Sequence, residues 1–417
     1  MRFKISGIGK IGDSQIEMNG ITVIAGENNT GKSTFGKTLY CMFNAFCNAK
    51  LMIRSERIDD LHRVIYDVGL TPYAMAELLK TLVMEIEHTT IEEFSEDDVK
   101  KMIMDAVTEL STEESENAEL IDNIKRSLAV SNEEIQKIVI NRYFEQEFES
   151  NINHVNRLNS IGNVSICIQG KNISLNIKDN KPNDFADSVG IRHKAIYIDT
   201  PFVMDDIKKI HYSETVFKNH AMMDYNHRHD LRRRLVKERS NNTVIEEAIM
   251  NKKISGVLSN ISSVIDGEFI EDGRKIMFME KGLKKPIPLS DISAGFKTFL
   301  IIKRLLELGE IKERDVLILD EPEIHLNPSW QLQFAEILVL LQKEFNLTIL
   351  LTTHSPYFLY AVEVYGKKHG IKERINFYFA ENDGDVSNVR EVTSDIDVIY
   401  QQLAEPFQKL ENVAYGD

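Results

Sequence analysis

The sequence predicts an α/β fold, a mixed sheet flanked by helices and interrupted by helical insertions, and three observations predict it. A β-branched run, Ile21-Thr22-Val23-Ile24, passes through the loop Gly26-Glu27-Asn28-Asn29-Thr30-Gly31-Lys32-Ser33 into a helical pattern beginning near Thr34. Val316-Leu317-Ile318-Leu319 is a continuously apolar strand that ends on two carboxylates, Asp320 and Glu321. From about residue 290 onward, helical and strand-like segments alternate.

Near the N-terminus Phe3 and Ile5, then Ile16 and Met18, alternate as in half-buried strands. After the loop, Leu39, Met42, Phe43 and Phe46 keep helical spacing. The chain from about 50 to 158 then turns helical and acidic, almost without glycine. Helix starts are expected at Thr71-Pro72, at Ser95 ahead of Glu96, and at the capping box Ser131-Asn132-Glu133-Glu134. Strands resume as a hairpin, Val164–Ile168 with Ile173–Ile177, and a short buried strand Ala195–Ile198 stops at Asp199-Thr200-Pro201. The expected division is 1–48 for the first part of the core with its loop, 49–158 for an acidic helical insertion and 159–201 for returning strands. A second, locally basic helical insertion takes 202–264, and 265–417 completes the core.

A chain of 417 residues has room for two or three domain-sized units, and 42% apolar residues suffice for a buried core. No apolar run approaches the ~18–20 residues of a membrane span. Met1-Arg2-Phe3-Lys4 leads into a strand rather than a signal peptide, so a soluble, cytoplasmic protein with no membrane contact is expected. Cys41, Cys47 and Cys167 form no CxxC pair and no even-numbered framework; reduced, buried thiols are expected. The net charge of −15 argues against a chain coated in nucleic acid. One local exception is His227-Arg228-His229-Asp230-Leu231-Arg232-Arg233-Arg234, continuing to Lys237 and Arg239. It reads either as a solvated helix face or partner contact, or as a nucleic-acid or phosphate contact over 227–239.

The glycines at 26 and 31 let a backbone turn so that its N–H groups converge, and the following helix N-terminus favours anions. Residues Gly26, Glu27, Asn28, Asn29, Thr30, Gly31, Lys32, Ser33 and Thr34 thus form a phosphate cradle, a P-loop. Lys32 is placed to reach β- and γ-phosphates and the Ser33 hydroxyl to hold Mg²⁺. Asp320 would act on the same ion, and Glu321 would orient and deprotonate an attacking water.

Upstream of that strand lies Leu289-Ser290-Asp291-Ile292-Ser293-Ala294-Gly295-Phe296-Lys297, then a helix. Downstream is Glu323-Ile324-His325-Leu326-Asn327-Pro328, then another, and the strand Thr348–Leu351 ends in Thr352-Thr353-His354-Ser355-Pro356. This order resembles the ABC-type ATPases over about 1–40 and 285–365. The resemblance implies an ABC-type ATPase head with ATP and Mg²⁺ as cofactors. It makes Ser293, Ala294 and Gly295 a signature loop that binds the γ-phosphate of ATP held by another subunit. Asn327 falls in a D-loop at the dimer interface, and His354 is a switch histidine sensing the γ-phosphate. The signature reads Ile-Ser-Ala-Gly-Phe-Lys rather than Leu-Ser-Gly-Gly-Gln, which leaves Lys297 as a residue the contact could enlist. Gln169 and Asp199 are equal candidates for the Q-loop position.

Within that family the chain resembles the soluble SMC, RecF and OLD-like branch, often labelled AAA-type ATPases of defence islands. About sixty residues follow His354, too few for the Toprim nuclease domain of OLD proteins. Effector chemistry is therefore expected on a separate nuclease or toxin polypeptide, as in Septu, PARIS and retron-associated systems. The resemblance implies a homodimer or higher homo-oligomer that closes around ATP and controls that partner in anti-phage defence. The alternative is a DNA repair or recombination ATPase of RecF/SMC type that binds DNA directly.

Overall fold

The computed structural model of the chain describes residues 1–67, 114–154, 156, 160–207, 225–237, 244–273 and 275–415. The helix starts expected at Thr71 and Ser95, and Arg239 of the basic stretch, lie outside the described residues. Two compact units divide the rest. One holds 1–47, 141–207 and 225–415; the other holds 48–67 and 114–140.

In the larger unit, β1 (Arg2–Ile8), β2 (Ile11–Glu17) and β3 (Ile21–Gly26) lead through the loop into α1 (Lys32–Phe46). The smaller unit is helical: α2 (Ala49–Asp67), α3 (Glu114–Ala129) and the start of α4 (Asn132–Phe148). Its core includes Leu61, Ile65, Leu120 and Ile124, all fully buried. The buried Arg57 guanidinium donates to the Ser127 carbonyl (3.2 Å), the Val130 carbonyl and Asn132 Oδ1 (3.0 Å), satisfying the chain where α3 turns into α4. The capping box forms as expected: Glu134 N–H donates to Ser131 Oγ at 3.1 Å, and Ser131 N–H to Glu134 Oε2 at 3.0 Å.

The larger unit continues with β4 (Gly162–Ile168), β5 (Lys171–Lys178), β6 (Lys181–Asp187) and β7 (Ala195–Ile198), then α5 (His227–Val236) and α6 (Val244–Ser262). A small antiparallel sheet follows, β8 (Gly267–Asp272), β9 (Lys275–Glu280) and β10 (Ile287–Pro288). The last stretch is α7 (Ala294–Glu307), β11 (Val316–Asp320), α8 (Pro328–Phe345), β12 (Thr348–Thr353), α9 (Pro356–Lys368), β13 (Ile375–Asp383), β14 (Val386–Glu391) and α10 (Asp397–Tyr415).

The main sheet is mixed and has eleven strands in the order β6-β5-β4-β1-β2-β14-β13-β3-β12-β11-β7. Its right half, β13, β3, β12, β11 and β7, is parallel. Parallel strands are covered on both faces, which is why β3, β7 and β11 carry continuous apolar runs. Alternation then sorts the residues. Val23, Ile196, Ile198, Leu317, Leu319 and Leu351 share a core with Phe299 and Leu305 of α7 and Phe334 and Leu338 of α8. Tyr197 and Ile318 face the other way, onto α1, where Gly36 lets the helix approach: a Cβ there would lie 3.1 Å from Ile318 and 3.2 Å from Tyr197. The left half, β1, β2 and β4–β6, is antiparallel; the hairpin β4–β5 is as expected, and β6 adds a third strand that its Lys, Pro and Asp content concealed.

Parallel order brings the C-terminal ends of β3, β12, β11 and β7 side by side: Ala25 pairs with Thr353, Asp320 with Thr352, and Ile198 with Leu319. Ligands of open α/β sheets bind at this edge.

Candidate functional site

Gly26 closes β3 at φ 154°, where an added Cβ would lie 2.3 Å from the Ala380 carbonyl oxygen of β13. Only glycine lets the chain leave the sheet here. A Gly26→Ala variant is expected to lose about 1–3 kcal/mol of stability by overpacking, read as a lower urea midpoint with unchanged m-value. Asn29 and Gly31 also have positive φ, 62° and 75°, turning the loop into the first turn of α1. No side chain caps α1, so its first N–H groups are donors for an anion.

Thr30 Oγ1 donates to the Glu27 carbonyl at 2.8 Å, tightening the loop. Lys32 is 4% exposed; its ammonium donates to the carbonyls of Gly26 (2.9 Å) and Glu27 (2.7 Å) and lies 3.7 Å from Glu321 Oε1. Burial pulls that ammonium below its ordinary pKa, against the attraction of Glu321 and Asp320. Ser33, next in the turn, is exposed.

Asp320 ends β11. Its Oδ1 accepts from the Thr352 hydroxyl and its Oδ2 from the Tyr197 hydroxyl at 3.2 Å. An ionised carboxylate has about four acceptor sites, so capacity remains on Asp320. A carboxylate and an exposed hydroxyl are hard oxygen donors of the kind Mg²⁺ takes, and Asp320 and Ser33 fit that ion.

Glu321 has a φ of 47°, a left-handed conformation that costs a non-glycine residue about 1–3 kcal/mol. Its N–H, donating to Thr352 O (3.2 Å) and Oγ1 (3.1 Å), holds it there. The turn aims the carboxylate at Lys32 and at His354, whose Nδ1 lies 3.4 Å from Glu321 Oε1. The His354 ring above all, and Lys32 beside it, hold the Glu321 carboxyl below its ordinary pKa, and burial opposes them; Glu321 in turn raises His354.

Glu323, not anticipated from the sequence, is 2% exposed and holds the Thr353-His354 segment. Its Oε1 accepts from the Thr353 hydroxyl and from His354 N–H at 3.3 Å. Burial raises its pKa.

Ser293 is the N-cap of α7, accepting from Phe296 N–H at 3.4 Å, and Ala294 and Gly295 form the helix's first turn. Gly295 packs so closely that a Cβ would lie 2.6 Å from the His325 carbonyl oxygen. Asn327 caps α8 through Trp330 N–H at 3.0 Å and is exposed. Lys297 is not available to a partner, contrary to the sequence expectation. It is 2% exposed, bound to Asp205 at 2.5 Å and to the Ser290 carbonyl at 3.3 Å, and covered by the Phe202 ring.

Of the two Q-loop candidates, Gln169 occupies the β4–β5 turn, with β1, β2, β14 and β13 between β4 and β3. Asp199 follows β7, whose last residue Ile198 pairs with Leu319, the residue before Asp320. Burial works against its charge, but hydrogen bonds from His227 and Arg228 hold its carboxyl down to about 2.

The basic stretch makes internal pairs. Arg228 binds Asp199 (2.5 Å), Arg233 and Arg234 bind Asp230 (2.5 and 2.7 Å), and Lys237 binds Glu310 (2.7 Å). His227 sits between Glu147 (2.6 Å) and Asp199 (3.1 Å). The sequence concealed most of this because Glu147, Asp199 and Glu310 come from distant segments; only Asp230 is local. Cys41 and Cys47 are buried and Cys167 is half-buried, and none of the three is in a disulfide. Among the described residues no helix is long and apolar enough to cross a membrane.

Residues 170–359 match the family described as AAA domain, putative AbiEii toxin, Type IV TA system. That stretch contains Ser293, Asp320, Glu321 and His354; the loop at 26–33 lies before it. Among solved structures, the chain is similar to an SMC head domain from Thermotoga maritima (13% identity, TM-score 0.41, covering 94% of this chain and 98% of that one). It is also similar to an Smc head bound to the C-winged helix domain of ScpA (11%, 0.46, 95% and 98%). A third is an Smc head domain with an extended coiled coil, bound to the C-terminal domain of ScpA derived from Pyrococcus furiosus (12%, 0.43, 96% and 98%).

Proposed function

We propose that the chain is an ATP-hydrolysing molecular switch whose two copies close around ATP and Mg²⁺ and thereby control a separate effector protein. One observation carries this reading: Glu321 is aimed at once at Lys32 (3.7 Å) and His354 (3.4 Å), beside Asp320, at the edge where the P-loop opens. In this reading the α1 N-terminus and Lys32 bind the triphosphate, and Ser33 and Asp320 hold Mg²⁺. Glu321 deprotonates the attacking water while His354 reports the γ-phosphate. Each chain carries one P-loop and one Ser293–Gly295 helix start. A second copy supplying its Ser293, Ala294 and Gly295 N–H groups to the phosphate completes two such sites, with Asn327 at the seam.

A role in anti-phage defence draws support from the match of residues 170–359 to a family described as AAA domain, putative AbiEii toxin, Type IV TA system; the separate nuclease or toxin partner is carried over from the resemblance alone. The alternative, direct DNA binding, needs cations from 227–239, and Arg228, Arg233, Arg234 and Lys237 are engaged with carboxylates. The test is the mass of Glu321→Gln protein by light scattering. About twice the nucleotide-free mass is expected in Mg-ATP, and an equal mass in both conditions removes the switching.

A further inference from the structure

The Asp320 carboxylate is held in part by a residue outside the motifs, Tyr197 of β7. Asp320 accepts two hydrogen bonds from the protein, and the two donors differ in what holds them. The Thr352 hydroxyl is fixed within the strand ends, since it also accepts from Glu321 N–H at 3.1 Å. The Tyr197 hydroxyl is fixed by its ring. That ring is 2% exposed and stacks on the His227 imidazole, with centroids 4.2 Å apart and planes 27° apart. Tyr40 of α1 packs its edge near both, 6.3 Å from Tyr197 and 6.0 Å from His227.

His227 is itself clamped. Its Nδ1 lies 2.6 Å from Glu147 Oε1, its backbone N–H donates to Glu147 Oε2 at 3.1 Å, and its Nε2 lies 3.1 Å from Asp199 Oδ2. Arg228 chelates the same Asp199 oxygen through Nε (2.8 Å) and Nη2 (2.5 Å). The tyrosine ring therefore has α1 on one side and, on another, an imidazole held between Glu147 of α4 and Asp199, the residue after β7. Packing alone would be served by phenylalanine at 197. A buried phenol brings a hydroxyl that must find a partner, and here that partner is the carboxylate placed to hold the metal.

We infer that Tyr197 is a positioning residue for Asp320, and that His227, by fixing the Tyr197 ring, ties the orientation of the metal carboxylate to α4 and α5. The inference rests on the ATPase reading above and deepens it. Outer-shell partners of metal ligands typically contribute about 10–100-fold in metal affinity, and Tyr197 stands in that relation to Asp320.

The test uses the full chain and a non-hydrolysable ATP analogue. Calorimetric binding is measured across a Mg²⁺ titration and in EDTA, alongside the Mg²⁺ dependence of phosphate release. Tyr197→Phe keeps the ring and removes one oxygen. Its Mg²⁺ midpoint is expected to rise about 10-fold or more in both measurements, with analogue binding in EDTA unchanged. A midpoint within twofold of wild type would overturn the inference, because a merely structural hydroxyl leaves metal affinity alone. His227→Gln is expected to raise the midpoint too, and to add nothing further in the Tyr197→Phe background, since both act through one hydroxyl. Additive shifts would overturn the part assigned to His227. Wild-type protein that binds no analogue at any Mg²⁺ concentration would overturn the ATPase reading itself, a result separable from a normal wild-type titration matched by the variant.

Discussion

Glu321→Gln protein is expected to bind Mg-ATP about as tightly as wild type and to hydrolyse it about 10²–10⁴ times more slowly, the usual range for loss of a positioned general base. Glutamine keeps the size of the side chain and leaves the Glu321 N–H bonds to Thr352 intact, so the left-handed turn after β11 is retained. What it lacks is a site that accepts a proton. The two groups that hold the Glu321 carboxyl below its ordinary pKa are His354 and Lys32, and both are assigned to phosphates in the bound state. Drawing these two groups toward the triphosphate frees the carboxylate and returns it toward a more basic value, so the base strengthens when there is a substrate to act on. Phosphate release at saturating Mg-ATP, with binding of a fluorescent analogue as control, checks this. A rate within 10-fold of wild type would mean that another group takes the proton.

How much of this was legible in the sequence depended on whether partners lay close together along the chain. The P-loop was readable because strand, glycines, lysine and helix are contiguous, and the structure places them as strand end, turn and first helical turn. The apolar run before Asp320 declared a strand buried on both faces, and the capping box at Ser131 declared its own hydrogen bonds. Residues acting across the sheet were hidden. Tyr197 looked like part of a short buried strand, and its meaning comes from the pairing of β7 with β11, which sets it beside Asp320. The run from His227 to Lys237 looked basic because its counter-charges, Glu147, Asp199 and Glu310, arrive from elsewhere; only Asp230 was local. Lys297 was offered to a neighbouring subunit on sequence grounds, and Asp205 claims it instead. A buried tyrosine and a lysine on a helix face dense with Phe and Leu were the available signals, since both need polar partners once buried.

Lys32→Ala is expected to abolish useful nucleotide affinity while leaving the nucleotide-free protein folded. The two halves of that statement have different causes. In the structure the Lys32 ammonium holds two loop carbonyls, at 2.9 and 2.7 Å, and sits 3.7 Å from Glu321. Removing it leaves Glu321 beside the His354 ring at 3.4 Å, and its quarter-exposed side chain keeps water. The loop retains the Thr30–Glu27 bond and the positive-φ turn at Asn29 and Gly31. In the bound state nothing replaces the lysine: the helix N-terminus supplies partial charges, and the β- and γ-phosphates lose their full one. Truncating one partner of a desolvated charge pair costs about 2–5 kcal/mol, about 30- to 5,000-fold in Kd. Thermal melting with and without Mg-ATP separates the two effects. Wild type should gain stability with ligand concentration as RT ln(1 + [L]/Kd). Lys32→Ala should melt near wild type without nucleotide and gain about 2–5 kcal/mol less than wild type at saturating nucleotide. A variant that shows the wild-type ligand shift would place the triphosphate somewhere other than the loop at 26–33.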